Sequence, residues 1–410
     1  MTKLSVSDLL LKDKNVLIRV DFNVPMDKDS QITDDARIRA SLSTIQYVLQ
    51  HGGRAILMSH LGRPKEGSDP TLSLAPCARC LSKLLGKEVQ MAPDCVGKIV
   101  EKMAKNLKSG EIMLLENLRF YPAEESPEKD PNFAKQLAVL GDLYVNDAFG
   151  TAHRAHSSTV EIARYFPGKA AAGCLMQKEM KFLGEALLQP KRPFYAIIGG
   201  AKISTKIGVI RSLLKKADAI FIGGGMAFTF LKAQGIEIGD SIHEDALLPE
   251  VKSILAEISH TKTKFFLPED FVIADRIDKD AQVRVVAADQ GIPKGFQGVD
   301  IGPKTVQKYI AALQSASTVF WNGPVGIFEC SPFAKGTQAL AIAISQLSAV
   351  TIVGGGESVS AMHQSGVADK ITHLSTGGGA SLEYVESGSL PGIEALSDAP
   401  NQPLYPRLKK

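Results

Sequence analysis

The sequence predicts an α/β protein in which one βαβ rhythm runs twice, and three observations carry that prediction. Short apolar runs recur along the 410 residues, stretches of helical length separate them, and a proline-broken seam divides the pattern into similar halves. Continuous apolarity, unlike alternation, suits strands buried on both faces of a parallel sheet. In order, the runs are 16–20, 55–58, 112–115 and 143–145, then 196–198, 219–222, 318–320 and 349–353. Between them, 36–50, 132–140, 204–214 and 337–346 have helix length and amphipathic spacing. Strands alternating with helices give a parallel α/β architecture.

The seam is Gln189-Pro190-Lys191-Arg192-Pro193, where two prolines and two charges interrupt the pattern. It sets the expected domains at 1–188 and 189–388. The segment 171–188 reads as a long helix connecting them, and the Pro-rich stretch 389–410 as an irregular tail, loose or packed back on the first domain.

Composition excludes several classes. With 44% hydrophobic and 22% charged residues, burial can offset chain entropy, so global disorder is not expected. A net charge of +3 is too mild to argue for nucleic acid or a membrane surface. No apolar run approaches the roughly 20 residues that span a bilayer, and the eight tyrosines and one tryptophan form no stacking ladder with basic residues. The first residues lack the apolar stretch of a signal peptide. Five cysteines, an odd number, fit a reducing compartment better than a disulfide framework, so a cytoplasmic location is expected. Cys77 and Cys80 form a CxxC inside the helical run 74–85, with no second pair to complete a zinc site, and read as helix cysteines without a chemical role.

The two halves differ in the loops at their strand ends. In the first, strand ends lead into Asp21-Phe22-Asn23, Ser59-His60-Leu61-Gly62-Arg63, Glu116-Asn117-Leu118-Arg119 and Asn146 to His156. Ligands of open parallel sheets bind outside the carboxyl ends of the strands, so these loops should converge. Their Arg and His residues suit an anion, because the guanidinium fork matches phosphate and carboxylate. His60, His153 and His156 read as partners for that anion in preference to metal ligands.

In the second half the strand ends carry glycine: Gly199-Gly200-Ala201-Lys202, Gly223-Gly224-Gly225, Gly354-Gly355-Gly356-Glu357-Ser358, and a further cluster at Gly377-Gly378-Gly379. Glycine lets the backbone approach a ligand and aim N–H groups at phosphate oxygens. Four such clusters in one domain point to a nucleotide. Lys202 and Lys206 stand four apart at the start of a helical run, which would put two ammonium groups on one face for use against a polyphosphate. No GxxxxGK[ST] occurs, and no GxGxxG follows the first strand, which argues against P-loop and dinucleotide readings.

These segments together resemble the phosphoglycerate kinase family. The similar stretches are Arg19-Val20-Asp21-Phe22-Asn23-Val24-Pro25, Ser59-His60-Leu61-Gly62-Arg63-Pro64, Glu116-Asn117-Leu118-Arg119-Phe120, 146–157, 199–206, 321–329 and 375–381. The resemblance implies two similar-sized doubly wound parallel-sheet (Rossmann-like) domains joined by a hinge. It implies 3-phosphoglycerate on the first and ATP or ADP with Mg²⁺ on the second. The implied reaction, in glycolysis and gluconeogenesis, is reversible transfer of the ATP γ-phosphoryl group to a carboxylate, giving 1,3-bisphosphoglycerate and ADP. Residues matching the family's substrate site are Asp21, Asn23, Arg37, His60, Arg63, Arg119 and Arg154. Those on the nucleotide side are Gly200, Lys202, Lys206, Gly224, Gly298, Asn322, Pro324, Glu329, Gly355, Gly356, Glu357 and Ser358. Within the latter set, Gly298, Asn322, Pro324 and Glu329 match adenosine-contacting positions.

Arg37 on the substrate side, with Lys202, Gly355 and Gly356 on the other, would stabilise the transferring group. Phosphoryl transfer needs positioning and charge cancellation. The attacking carboxylate is already ionised at neutral pH, so no general base is required. Transfer between ligands on separate domains implies closure that brings reacting atoms to about 3–3.5 Å. The chain departs from the family at Glu357, where Asp is usual and which is the candidate Mg²⁺ ligand, at Ser358, where Thr is common, and at Glu269, where an apolar residue is usual. A monomer without nucleic-acid or membrane partners is expected. A carboxylate-activating ligase would need a third-substrate site, and no residues resembling one are present. A non-catalytic nucleotide-binding protein of the same fold would lack the catalytic cations, yet Arg37, Lys202 and Lys206 are all present.

Overall fold

The computed structural model describes residues 2–65, 67–185, 187 and 189–399. Among these, residues up to Met180 and those from Ser389 onward form one compact unit, and Lys181–Gly388 form a second. The expected 188/189 boundary thus stands at 180/181, ahead of the proline seam.

Unit one is built on six parallel strands: β1 (Asn15–Arg19), β2 (Arg54–Met58), β3 (Val89–Met91), β4 (Ile112–Leu114), β5 (Leu143–Asn146) and β6 (Ala170–Ala172). Their order is β3-β4-β2-β1-β5-β6, so the chain reverses direction across the sheet on either side of β1. The registers Ile18↔Leu57 and Ile18↔Val145 put three fully buried side chains in one row. Ile38 and Ile45 of helix Ala36–Gln50, and Cys77 and Leu81 of helix Ala75–Leu85, pack over the sheet. Residues beyond Gly388 return to this unit. Leu4 N–H donates to Ser397 O at 2.8 Å, Gly392 N–H to Ala152 O at 2.8 Å, and Leu390, Ile393 and Leu396 are buried.

Unit two holds a second parallel sheet of β7 (Phe194–Ile198), β8 (Ala219–Ile222), β9 (Lys264–Phe266), β13 (Thr318–Asn322), β14 (Val350–Gly354) and β15 (His373–Leu374), ordered β15-β14-β13-β7-β8-β9. Beside it stands an antiparallel sheet of β10 (Asp270–Ala274), β11 (Val283–Ala287) and β12 (Gln297–Ile301), ordered β11-β10-β12. Trp321, Phe221 and Tyr309 are fully buried, and the Tyr309 hydroxyl donates to Ile222 O at 2.8 Å.

Each apolar run of the sequence is a strand, with ends displaced by one or two residues. Three expectations need correction. The segment 171–188 is not one helix: Ala170–Ala172 form β6 against β5, helix Cys174–Glu179 follows, and Met180–Glu185 make a π-helical turn. Alanine favours helix locally, but pairing with a buried strand overrides propensity. The run from 204 becomes helical only at Ile207. The tail from 389 is not wholly irregular, since Pro391–Glu394 form a short helix; residues 400–410 lie outside the described set. Among the described residues no helix is long and apolar enough to cross a membrane.

Candidate functional site

In unit one, cations gather where β1, β2, β4 and β5 end. Both carboxylate oxygens of Asp21 accept from Arg37 Nη1 at 3.2 Å, and the same nitrogen donates to Asn23 O at 3.0 Å. Arg37 is the second residue of its helix, and its side chain remains 41% exposed. Asn23 Oδ1 accepts from Gly62 N–H at 2.9 Å and so ties the β1 loop to the β2 loop. Arg119 donates to Gly62 O at 2.7 Å and pairs with Glu125 at 2.7 Å, while Arg154 approaches the same carboxylate at 3.7 Å. Burial, with Arg19 and Arg154 nearby, lowers the Arg119 pKa against the pull of Glu125. Arg63 is exposed and takes no ion-pair partner among the described residues. One glutamate shared by two arginines leaves positive charge over, which an anionic ligand neutralises.

His60 is buried, and burial together with Arg19, Arg119, Arg37 and His156 holds its pKa well below the ordinary histidine range. His156 is pushed down to about 3 by burial and the neighbouring arginines. Beneath both lie Arg19 and Glu124, completely buried and 3.8 Å apart. Sequence reasoning assigned neither a role. The available signal was an arginine ending an otherwise apolar strand, a placement that burial penalises unless partners are present.

In unit two, a cavity of about 380 Å³ opens at the ends of β7, β8 and β13. Gly200, Gly224, Gly298, Pro324, Glu329 and Glu357 line it, with Phe228, Ile242, Phe271 and Ile277 among its apolar walls. A Cβ at Gly298 would come within 2.0 Å of the Phe228 ring, so glycine there lets the aromatic wall close on β12. Gly355 follows β14 with φ +93°, a conformation that L side chains resist, and opens helix Gly356–Gln364. The unpaired N–H groups of that first turn suit phosphate. Glu357 and Gly356 are exposed there, whereas Ser358 is buried and its hydroxyl accepts from Gly323 N–H at 2.7 Å.

Lys206 Nζ donates to Asn322 Oδ1, and Asn322 Nδ2 donates to Gly354 O at 2.9 Å, which joins the ammonium to the phosphate-type loop. Asn322 is buried beneath these loops rather than on the cavity wall. Burial pushes the Lys206 pKa down to about 8, with Glu357 opposing. The two lysines do not share a helix face, contrary to their spacing. Lys202 is exposed in the turn before the helix, and Lys206 is its buried N-cap.

Asp300, also in the cavity wall, went unrecognised from sequence. It accepts from Ile301 N–H at 2.9 Å and Gly336 N–H at 2.6 Å, and burial pushes its carboxyl up to about 7. Cys77, its thiol pushed up to about 12 by burial, lies in the core, and both it and Cys80 are free. Among the described residues no group of three His, Cys, Asp or Glu side chains forms a metal site.

A family model described as phosphoglycerate kinase matches residues 6–388. The phosphoglycerate kinases of Koribacter versatilis and Moorella thermoacetica are each 54% identical, over 97% of this chain and 100% of their own length. The solved phosphoglycerate kinase of Coxiella burnetii superposes with a TM-score of 0.85 at 40% identity, covering 96% of this chain and 98% of that one. That of Pyrococcus horikoshii gives 0.83 at 34%, with the same coverage.

Proposed function

The chain belongs to the phosphoglycerate kinase family, and from that premise we propose how its residues divide the work. The reaction is reversible transfer of the ATP γ-phosphoryl group to the carboxylate of 3-phosphoglycerate, giving ADP and 1,3-bisphosphoglycerate. Unit one holds phosphoglycerate: Arg63, Arg119 and Arg154 take the anionic groups, Asp21 and Asn23 fix the loops and hydroxyl, and His60 supplies a further contact. Arg37 faces the reacting carboxylate. Unit two holds the nucleotide in the cavity at Gly200, Gly224, Gly298, Pro324 and Glu329, with Lys206 and the Gly355–Gly356 amides on the phosphates. Asn322 and Ser358 brace that loop, and Lys202 reaches the transferring group.

The observation that carries this reading is the buried Lys206 ammonium bonded through Asn322 to the loop that starts helix Gly356–Gln364. A desolvated cation beside open backbone N–H groups is an arrangement for polyphosphate. Mg²⁺ fits the same place: Glu357 offers an exposed carboxylate, and Mg²⁺ binds through one or two carboxylates plus substrate phosphates. When bound, it would cancel charge on the phosphate oxygens. No protein base acts, because the nucleophile is a carboxylate.

The division is tested by paired variants. Arg119→Ala should raise the KM for 3-phosphoglycerate about tenfold or more and leave ADP affinity unchanged, because one charge-assisted pair contributes roughly 1.5–3 kcal/mol. Lys206→Met should do the reverse. Equal loss of both ligands in either variant would overturn the assignment. The same reading places the chain as a cytoplasmic monomer, which sedimentation velocity and cell fractionation test.

A further inference from the structure

Arg19 ends β1 at 1% exposure, and each nitrogen of its guanidinium has a partner. Nε donates to Ser158 Oγ at 2.7 Å, Nη1 to Val20 O, and Nη2 lies 3.1 Å from His60 Nδ1. Ser158 Oγ, accepting from Arg19, donates its own O–H to Glu124 Oε1 at 2.6 Å, and Glu124 Oε2 accepts from Ser158 N–H at 3.0 Å. A hydroxyl has one proton to donate, so the chain of bonds runs one way, from Arg19 through Ser158 to Glu124.

A guanidinium only donates. In its bond with Arg19, His60 Nδ1 is therefore the acceptor, and the ring's proton sits on Nε2. Among the described residues no protein group bonds to Nε2, and Nε2 is not among the buried polar atoms left without a partner, so it reaches solvent. The charged and titratable groups facing the ring are Arg19, Arg37, Arg119 and His156, all cationic or basic, with Glu124 behind Arg19.

We infer that Arg19, held by Ser158 and Glu124, is a positioning residue that fixes His60 as the neutral Nε2–H tautomer, a single uncharged donor for the substrate anion. The inference rests on the placement of 3-phosphoglycerate proposed above. It divides labour in the site: arginines supply charge, and His60 supplies direction without gaining or losing a proton on binding.

Long-range ¹H–¹⁵N correlation spectra of the whole protein, with His60 assigned through His60→Gln, test it directly. The expected result is a protonated Nε2 and a bare Nδ1, unchanged from about pH 6 to 8, across the ordinary histidine pKa. A proton on Nδ1, or a titration near 6.5, overturns the inference. Addition of 3-phosphoglycerate should move the Nε2–H resonance. No movement would overturn the substrate placement and leave the tautomer result intact, so the two failures are distinct.

Arg19→Met should free Nδ1 to take the ring proton, so that both neutral tautomers of His60 appear in the spectra, and raise the KM for 3-phosphoglycerate about tenfold, with the KM for ATP within about twofold. Arg19→Lys, which restores a donor, should recover the wild-type tautomer. Equal rises in both KM values with an unchanged His60 spectrum would overturn the positioning role. If Arg19→Met does not fold, the wild-type spectra decide alone.

Discussion

Lys206 carries its ammonium in a buried place, and its pKa falls to about 8 for that reason. The free protein loses this charge as pH rises through about 8, while an exposed lysine keeps it to about 10.4. Bound polyphosphate favours the charged form, so nucleotide binding near pH 8.5 draws in a proton. Calorimetry in two buffers of different ionisation enthalpy should show uptake of a large part of one proton, and Lys206→Met should abolish it. Uptake that survives in the variant would show that another group titrates. On the substrate side, Arg37→Ala should lower kcat about 10²–10³-fold, the loss typical of one transition-state donor. A rise in KM at constant kcat would make Arg37 a binding residue only. The loops that carry Asp21 and Gly355 were legible in sequence because they stand directly beyond strand ends, whereas Arg37, inside a helix, was named only through the family resemblance. Arg19 and Glu124 were not, because their meaning lies in a contact: Arg19 and its Ser158 partner are 139 residues apart, and no local pattern reports which buried charge meets which.

Asp147, at the end of β5, shows what one side chain does for an element. Its Oδ1 accepts from Leu175 N–H at 2.9 Å and Met176 N–H at 3.1 Å, capping helix Cys174–Glu179. Burial outweighs these bonds and the one from Thr44, and pushes the carboxyl up to about 7. The folded pKa lies above the unfolded value near 3.9, so the folded state holds a proton that the unfolded chain has lost between these limits. The group's contribution is therefore full below about pH 4 and is lost as pH rises through 7. Asp147→Asn should be more stable than wild type at pH 8, on the order of 2 kcal/mol, and similar at pH 4.5, as read by denaturant unfolding. Asp300 titrates in the same window, so the single variant flattens the pH slope only in part.

Elements of this kind were legible when apolar and continuous. The central strands of both sheets were found because burial on two faces leaves them no polar positions. The antiparallel sheet was missed because its edge strand β11 exposes Val283 and Val285 and lacks that signature. β6 was missed because three alanines carry no strand signal of their own.

For the molecule as a whole, the proposed division predicts separable protection. In hydrogen exchange, 3-phosphoglycerate alone should slow amides of the loops after β1, β2 and β4, and ADP alone those around Gly200, Gly298 and Gly355. Protection by each ligand spread equally over both units would contradict it. The residues after Gly388 make a second prediction at this scale. Lys3 Nζ bonds to Leu396 O at 2.9 Å and to Asp398 at 2.9 Å, and Leu390, Ile393 and Leu396 fill apolar space in unit one. Ending the chain after Gly388 should destabilise unit one by on the order of 5 kcal/mol, at roughly 1.5–3 kcal/mol per buried side chain. Unit two should keep its ADP affinity; parallel loss in both would disprove the assignment of these residues.

That returning segment also bears on the order of biosynthesis. Unit two is continuous from Lys181 to Gly388, whereas unit one takes its first and last described residues from opposite ends of the chain. Domains usually mature in the order in which they leave the ribosome. Here the last residues of unit two leave the ribosome before residues 389–399 do, so the unit begun first is the unit completed last. Until then Leu4, Ala152 and Ala170 wait for their partners, and the nascent chain carries an apolar surface that Leu390, Ile393 and Leu396 cover.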